Sequence, residues 1–154
     1  MTATTTTSRA AALRSIEREV GVLVHRVRRV IGVRARAVHP DLQPAAYLVL
    51  ADLDERGPSR SSVVVEALGI DKGAVSRQIQ HLVDLGLLER SPDPADGRAA
   101  LLSLSDDARA RLERVRDDRR ERFGERLAEW SAGDLTELAG LLARYNASLE
   151  SPTG

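Results

Sequence analysis

No cysteine occurs among the 154 residues, which excludes disulfides, thiolate metal sites, cysteine nucleophiles and thiol redox sensing. With no signal of an oxidising compartment, the expected location is the cytoplasm. No run is long and apolar enough to span a bilayer, so no membrane partner is expected. The polar stretch Met1-Thr-Ala-Thr-Thr-Thr-Thr-Ser8 lacks the apolar core of a secretory signal, and residues 1–8 read as a frayed, disordered tail. No two of His25, His39 and His81 stand three or four residues apart, so no zinc pattern forms and no metal is expected. A nucleophile with its base, a paired-carboxylate site and a phosphate loop are all missing; Gly69 to Gly73 lacks the P-loop lysine arrangement. Neither an enzyme nor a bound cofactor is expected.

Net charge is also absent, since 23 basic residues balance 23 acidic ones. The balance is uneven along the chain. Residues 9–36 carry eight Arg against two acids, residues 37–57 one against four, residues 58–105 five basic against six acidic, and residues 106–154 nine against eleven. All basic residues but Lys72 are arginine, a skew that fits a GC-rich coding sequence as well as a special role.

What is present is periodic. Leu13, Ile16, Val20, Val24, Val27 and Ile31 recur at three- and four-residue spacing and predict a long helix from Arg9 to about Val38 with one apolar stripe. The basic block Arg26-Val-Arg-Arg29, with Arg34 and Arg36, reads as a solvated or ion-paired face ahead of a DNA contact. His39-Pro40 ends this helix. A second helix starts near Pro44, which suits a first-turn position. Gly57-Pro58 breaks the chain, and Ser59, Ser61 or Ser62 are candidate caps for a third helix over Val63 to Leu68.

Gly69 is expected at a left-handed turn, and Asp71 as the cap of a fourth helix from Lys72 to about Leu85. Val75, Ile79 and Leu82 make its inward stripe; Lys72, Gly73, Ala74, Ser76, Arg77, Gln80, His81 and Asp84 face outward. After Gly86, the runs Leu87 to Arg90 and about Ala99 to Leu104 flank a turn rich in Pro, Asp and Gly, a hairpin signal. Ser105-Asp-Asp107 opens a helix to about Glu129 whose seam is Leu112, Val115, Phe123 and Leu127. Ser131-Ala-Gly-Asp134 caps a last helix carrying Leu135, Leu138, Leu141, Leu142 and Tyr145. Phe123 and Trp130 read as packing anchors.

The fold class is thus mainly α with a small β-wing: a winged helix-turn-helix with a helical dimerisation region drawn from both termini. Residues 9–57 form N-terminal helices, 58–105 the winged unit, 106–150 C-terminal dimerisation helices, and 1–8 and 151–154 tails. The terminal helices have too little apolar company within one small domain, so a homodimer is the economical expectation. The middle third points to duplex DNA as the partner. The alternative is a winged helix used for protein contacts without specific DNA binding, which the uncharged average of residues 58–105 keeps open.

Three segments in order, Leu68-Gly-Ile-Asp-Lys-Gly-Ala-Val-Ser-Arg77, Leu82-Val-Asp-Leu-Gly-Leu-Leu-Glu-Arg90 and Asp93-Pro-Ala-Asp-Gly-Arg-Ala-Ala-Leu-Leu-Ser-Leu-Ser105, resemble the multiple-antibiotic-resistance regulator (MarR) family of winged-helix transcription factors, and the resemblance covers residues 10–150. It implies a sequence-specific, ligand-responsive repressor acting as a homodimer on an inverted-repeat operator. By that resemblance the helix from Lys72 enters the major groove, with Lys72, Ala74, Ser76, Arg77 and Gln80, together with Ser61, as its DNA-binding residues. The wing puts Arg98 into the minor groove, and Asp96 looks like the aspartate that orients this arginine by an ion pair. Gly97 stands where the family often has arginine, and Gly73 and Ala74 replace commoner hydroxyl residues. The resemblance also implies a small aromatic or anionic effector, for which His25, Arg29, His39 and Tyr47, with Arg36, are the candidate lining. The competing reading of these residues is a capping or surface role for the histidines and a core role for Tyr47.

Overall fold

The computed structural model describes the backbone of residues 2–150 and side chains from Arg9 to Leu149. Its elements run α1 (Thr2–Val38), α2 (Pro44–Arg56), β1 (Ser59–Arg60), α3 (Ser61–Leu68), α4 (Lys72–Asp84), β2 (Leu88–Asp93), β3 (Asp96–Leu104), α5 (Asp106–Arg126) and α6 (Ala132–Glu150). The helix order, the wing and the two N-capping serines late in the chain agree with the sequence pattern. The backbone of α1 is helical from Thr2, through the segment read as a frayed tail; once a helix is nucleated each added residue gains a bond, which outweighs the poor helix propensity of threonine. The 151–154 tail lies outside the described residues.

Two helix starts are built as expected. Ser105 Oγ accepts from the Ala108 N–H at 3.1 Å, opening α5. Ser131 and Asp134 form a reciprocal box, with Ser131 Oγ accepting from the Asp134 N–H at 3.1 Å and Asp134 Oδ2 accepting from the Ser131 N–H at 3.0 Å. The Ser131 hydroxyl and N–H hold the Asp134 carboxyl below its ordinary range. The third helix differs. It starts at Ser61, is preceded by Arg60 in extended conformation, and takes no side-chain cap; Ser59 instead donates from Oγ to the Gly57 carbonyl at 3.1 Å.

Strand β1 was not expected, because two residues carry no period. It completes an antiparallel sheet of order β1-β3-β2, pairing Ser59 with Leu102 and Arg60 with Leu101. The hairpin strands are longer than their apolar stretches suggest and close at the Asp93–Asp96 pair, so the turn is Pro94-Ala95. Asp96 and Gly97 therefore lie in β3, and are not the turn residues that their types suggest. The turn needs no positive φ, because the Asp93 carboxylate accepts from the Ala95 N–H at 2.8 Å and makes an Asx turn.

The chain divides into two compact units that part between Val115 and Arg116, ten residues beyond the expected 105/106 boundary. The cause is apolar: Ala108 and Leu112 on the first turns of α5 are buried in the core of the first unit, and Val115 packs against it. That core joins Ala35 and Val38 of α1, the inner faces of α2 and α4, Val64 of α3 and Leu102 and Leu104 of β3. Arg111 adds a polar tie, donating from Nη1 to the Val38 carbonyl at 2.9 Å and so satisfying one end group of α1. In the second unit α5 stops at Arg126, short of Glu129. Phe123 and Trp130 are 63% and 45% exposed, so neither is a packing anchor within the described chain.

Candidate DNA interface

Helix α4 is positioned by its two faces. Inward, Val75, Ile79 and Leu82 are at most 3% exposed. At its start Asp71 Oδ2 accepts from the Ala74 N–H at 2.9 Å, and Gly69 enters the turn in the left-handed region at φ 60°, where a side chain is strained. Gly73 has a steric reason: a Cβ there would lie 3.0 Å from Asp71 Oδ2 and crowd the cap. Lys72, Ser76, Arg77 and Gln80 are exposed and Ala74 is half-buried. Ser61 and Ser76 line one cleft of about 230 Å3 with Arg90 and Leu102.

Four of the six acids in residues 58–105 are held by bonds within the chain, while Glu66 and Glu89 are exposed. Asp71 is spent on the helix cap, Asp84 accepts from Gln80 at 2.8 Å, Asp93 is bound by Arg60 and Ala95, and Asp96 Oδ1 accepts from the Arg98 main-chain N–H at 3.1 Å. Among the described residues, Lys72, Arg77 and Arg98 have no ion-pair partner. Fixed acids beside unpaired cations leave a surface able to take an anion, since position outweighs the sum of charges.

A family model for the MarR family matches residues 41–99, from the loop before α2 to the residue after Arg98. The chain is 34% identical over 106 residues to the HTH-type transcriptional regulator YxaD of Bacillus subtilis, covering 69% of this chain and 74% of that protein. This chain belongs to the MarR family. The HTH-type transcriptional repressor NicR of Pseudomonas putida is 24% identical over 116 residues, covering 75% of this chain and 73% of the relative. The crystal structure of wild-type MarR from E. coli in its apo form superposes with a TM-score of 0.63 at 25% identity, over 81% of this chain and 95% of that one. This MarR-family chain is a DNA-binding transcriptional regulator and not an enzyme. No helix among the described residues is long and apolar enough to cross a membrane.

Several residues of this MarR-family site stand differently from their sequence reading. Asp96 does not pair with the Arg98 guanidinium; it holds the Arg98 backbone instead, because an Asx-type bond two residues ahead is shorter and less entropically costly than fixing a long side chain. The Gln80 amide donates to Asp84 and accepts from Arg90 Nη2 at 3.1 Å, so it braces α4 against β2. His25 and Arg29 are exposed on α1 and His39 and Tyr47 half-buried. His39 follows the helix end with Nδ1 accepting from the Asp41 N–H at 3.2 Å, and Tyr47 packs on the core. His25 and Val38 are separated along α1 by roughly 20 Å at the helical rise. One small effector therefore does not span His25 and His39 within a protomer.

Sequence reasoning missed Arg60, Arg90 and Asp93. Only Asp93 carried a local signal, the Asp-Pro turn start. Its carboxylate is 8% exposed as a residue and is held below its ordinary value of 3.8, first by the Ala95 N–H and then by the Arg60 guanidinium. A folded pKa below the unfolded one means that this stabilisation is complete above the unfolded value and is lost as pH falls through the folded one. The wing should thus keep its order from neutral pH down to the ordinary carboxyl range and loosen only in stronger acid. The Ala95 amide resonance should report it, titrating with a midpoint below 3.8; a midpoint at or above that value would contradict the assignment.

Proposed function

We propose that this regulator is a cytoplasmic repressor that acts as a homodimer on an inverted-repeat operator and blocks transcription by occupying it. Lys72 and Arg77 bind phosphate, Ser61 and Ser76 supply hydroxyl donors beside them, Ala74 allows close approach, and Arg98 enters the minor groove from the wing. The observation that carries this reading is the sorting of charge, which leaves Lys72, Arg77 and Arg98 unpaired among the described residues. A guanidinium is weakly hydrated and fork-shaped, so it suits the negative potential of a narrow groove.

Exposed apolar side chains support the dimer in each unit taken by itself. On α1, Leu13, Ile16, Leu23, Val24 and Val27 are 45–52% exposed; on α6, Leu135, Leu141, Leu142, Tyr145 and Leu149 are 37–65% exposed. Faces of this kind are covered by association. Two reading helices related by a two-fold axis meet major grooves about 34–36 Å apart, hence the inverted repeat. The repressor relative NicR supports the sign of regulation. An aromatic or anionic effector would meet Arg29 and His25, or His39, Tyr47 and Arg36, all of them residues of the first unit.

The test is a titration of a labelled duplex spanning the promoter upstream of the protein's own gene at 50 and 200 mM salt. With two phosphate-binding cations in each protomer, Lys72 and Arg77, four phosphates are neutralised in the dimer, and affinity should fall by about a hundredfold between the two conditions. Binding no tighter than to a random duplex, or insensitive to salt, would refute the reading.

A further inference from the structure

We propose that Arg60 and Asp93 are positioning residues for DNA recognition: their ion pair ties the wing to the start of the helix-turn-helix and so sets where Arg98 enters the groove. The proposal rests on the reading above that Arg98 contacts DNA.

The pair joins distant parts of the chain. Arg60 Nε and Nη2 both donate to Asp93 Oδ2, at 2.6 and 2.5 Å, across 33 residues of sequence. Asp93 Oδ1 accepts from the Ala95 N–H at 2.8 Å. A single carboxylate thus shapes the wing turn with one oxygen and docks it with the other. Arg60 is itself fixed, because it pairs with Leu101 in the sheet and immediately precedes α3. From Asp93 the hairpin crosses to Asp96, whose carboxylate holds the Arg98 main chain.

The backbone ladder cannot supply this tie. Register between β2 and β3 shifts at Pro92/Asp93, and proline has no N–H to offer the ladder. The distal hairpin is therefore weakly held by main-chain bonds where its aim matters most. A side-chain bond to the helix-turn-helix replaces them. The Asp93 side chain is 9% exposed and that of Arg60 42%, so the carboxylate is the shielded member and the guanidinium is committed to it. Arg60 accordingly acts through Asp93 and not as a further phosphate contact.

Asp93→Asn keeps an oxygen for the Ala95 N–H and removes a negative charge near DNA. Electrostatics alone makes this protein bind operator more tightly. Positioning makes it bind more weakly, by about tenfold, the worth of one well-placed contact. The experiment measures operator affinity of the full-length protein for wild type, Asp93→Asn, Arg60→Ala, Arg60→Lys, Arg98→Ala and the double variant Asp93→Asn with Arg98→Ala. The expected result is a similar loss in Asp93→Asn and Arg60→Ala, partial rescue in Arg60→Lys, and no loss in the double variant beyond that of Arg98→Ala. A general loss of stability would instead add to the effect of Arg98→Ala, and such additivity would overturn the proposal. So would an Asp93→Asn protein that binds as tightly as wild type or tighter while Arg98→Ala binds weakly. An Arg98→Ala protein that binds like wild type would overturn the wing reading and the proposal together. Should Asp93→Asn fail to fold, the Arg60 variants and their combination with Arg98→Ala carry the same comparison.

Discussion

Arg98→Ala is expected to weaken operator binding by about two orders of magnitude while leaving the fold intact. The proposed dimer would carry two wings, so one substitution would delete two contacts. At roughly 1–3 kcal/mol for each well-formed contact, the pair contributes about 2–6 kcal/mol, and each 1.4 kcal/mol is about tenfold. The loss should concentrate in the specific complex, because groove insertion depends on operator shape whereas phosphate binding does not. The fold should not suffer, since the Arg98 side chain is exposed and its structural bond to Asp96 runs through the main-chain N–H, which alanine keeps. Fluorescence anisotropy with operator and random duplex measures both terms. A variant that loses random-duplex affinity as much as operator affinity would show Arg98 to be a phosphate contact and not a groove reader.

Leu82→Ala should do the reverse, costing stability and little intrinsic affinity. Leu82 is fully buried on the inner face of α4, where it belongs to the core shared by α2, α4 and the wing. Truncating a buried leucine costs about 2–5 kcal/mol through lost transfer energy and the cavity left behind. A domain has only about 5–15 kcal/mol to lose, and each kcal/mol lowers the melting point of a chain this size by roughly 2–4 °C. Thermal unfolding should move down by about 10 °C at fixed protein concentration, which must be held because association raises apparent stability. Leu82→Met, nearly volume-conserving, should lose less than about 1.5 kcal/mol. If Leu82→Ala melts like wild type, the core placement of α4 is wrong. At a temperature where both variants are folded, the contrast with Arg98→Ala separates residues that build the reading surface from those that touch DNA.

The two variants mark where the sequence was legible. The inward stripe of α4, the Asp71 cap, the Gly69 turn and the boxes at Ser105 and Ser131 were all readable, because each depends on residues within four positions of one another. Reading failed where the partner lay far along the chain. Arg60 and Asp93 are 33 residues apart, and neither falls on a periodic face, so nothing local announces their bond. Gln80 and Arg90 meet across the helix and β2, a contact that nothing local announces. The two-residue strand β1 needs the rest of the sheet to exist at all. Asp96 shows a subtler limit: the sequence offered it two donors on Arg98, the guanidinium and the main-chain N–H, and only the closure of the hairpin at Pro94-Ala95 decided between them.

For this protein, helix order, wing, apolar stripes and membership of a DNA-binding family follow from the sequence alone, since periodicity, caps and turn residues act over a few positions and leave a legible pattern. Which acids are spent, which cations remain free and what aims the wing were decided only in the tertiary structure, because a charge acts through space with whatever neighbour the fold brings to it.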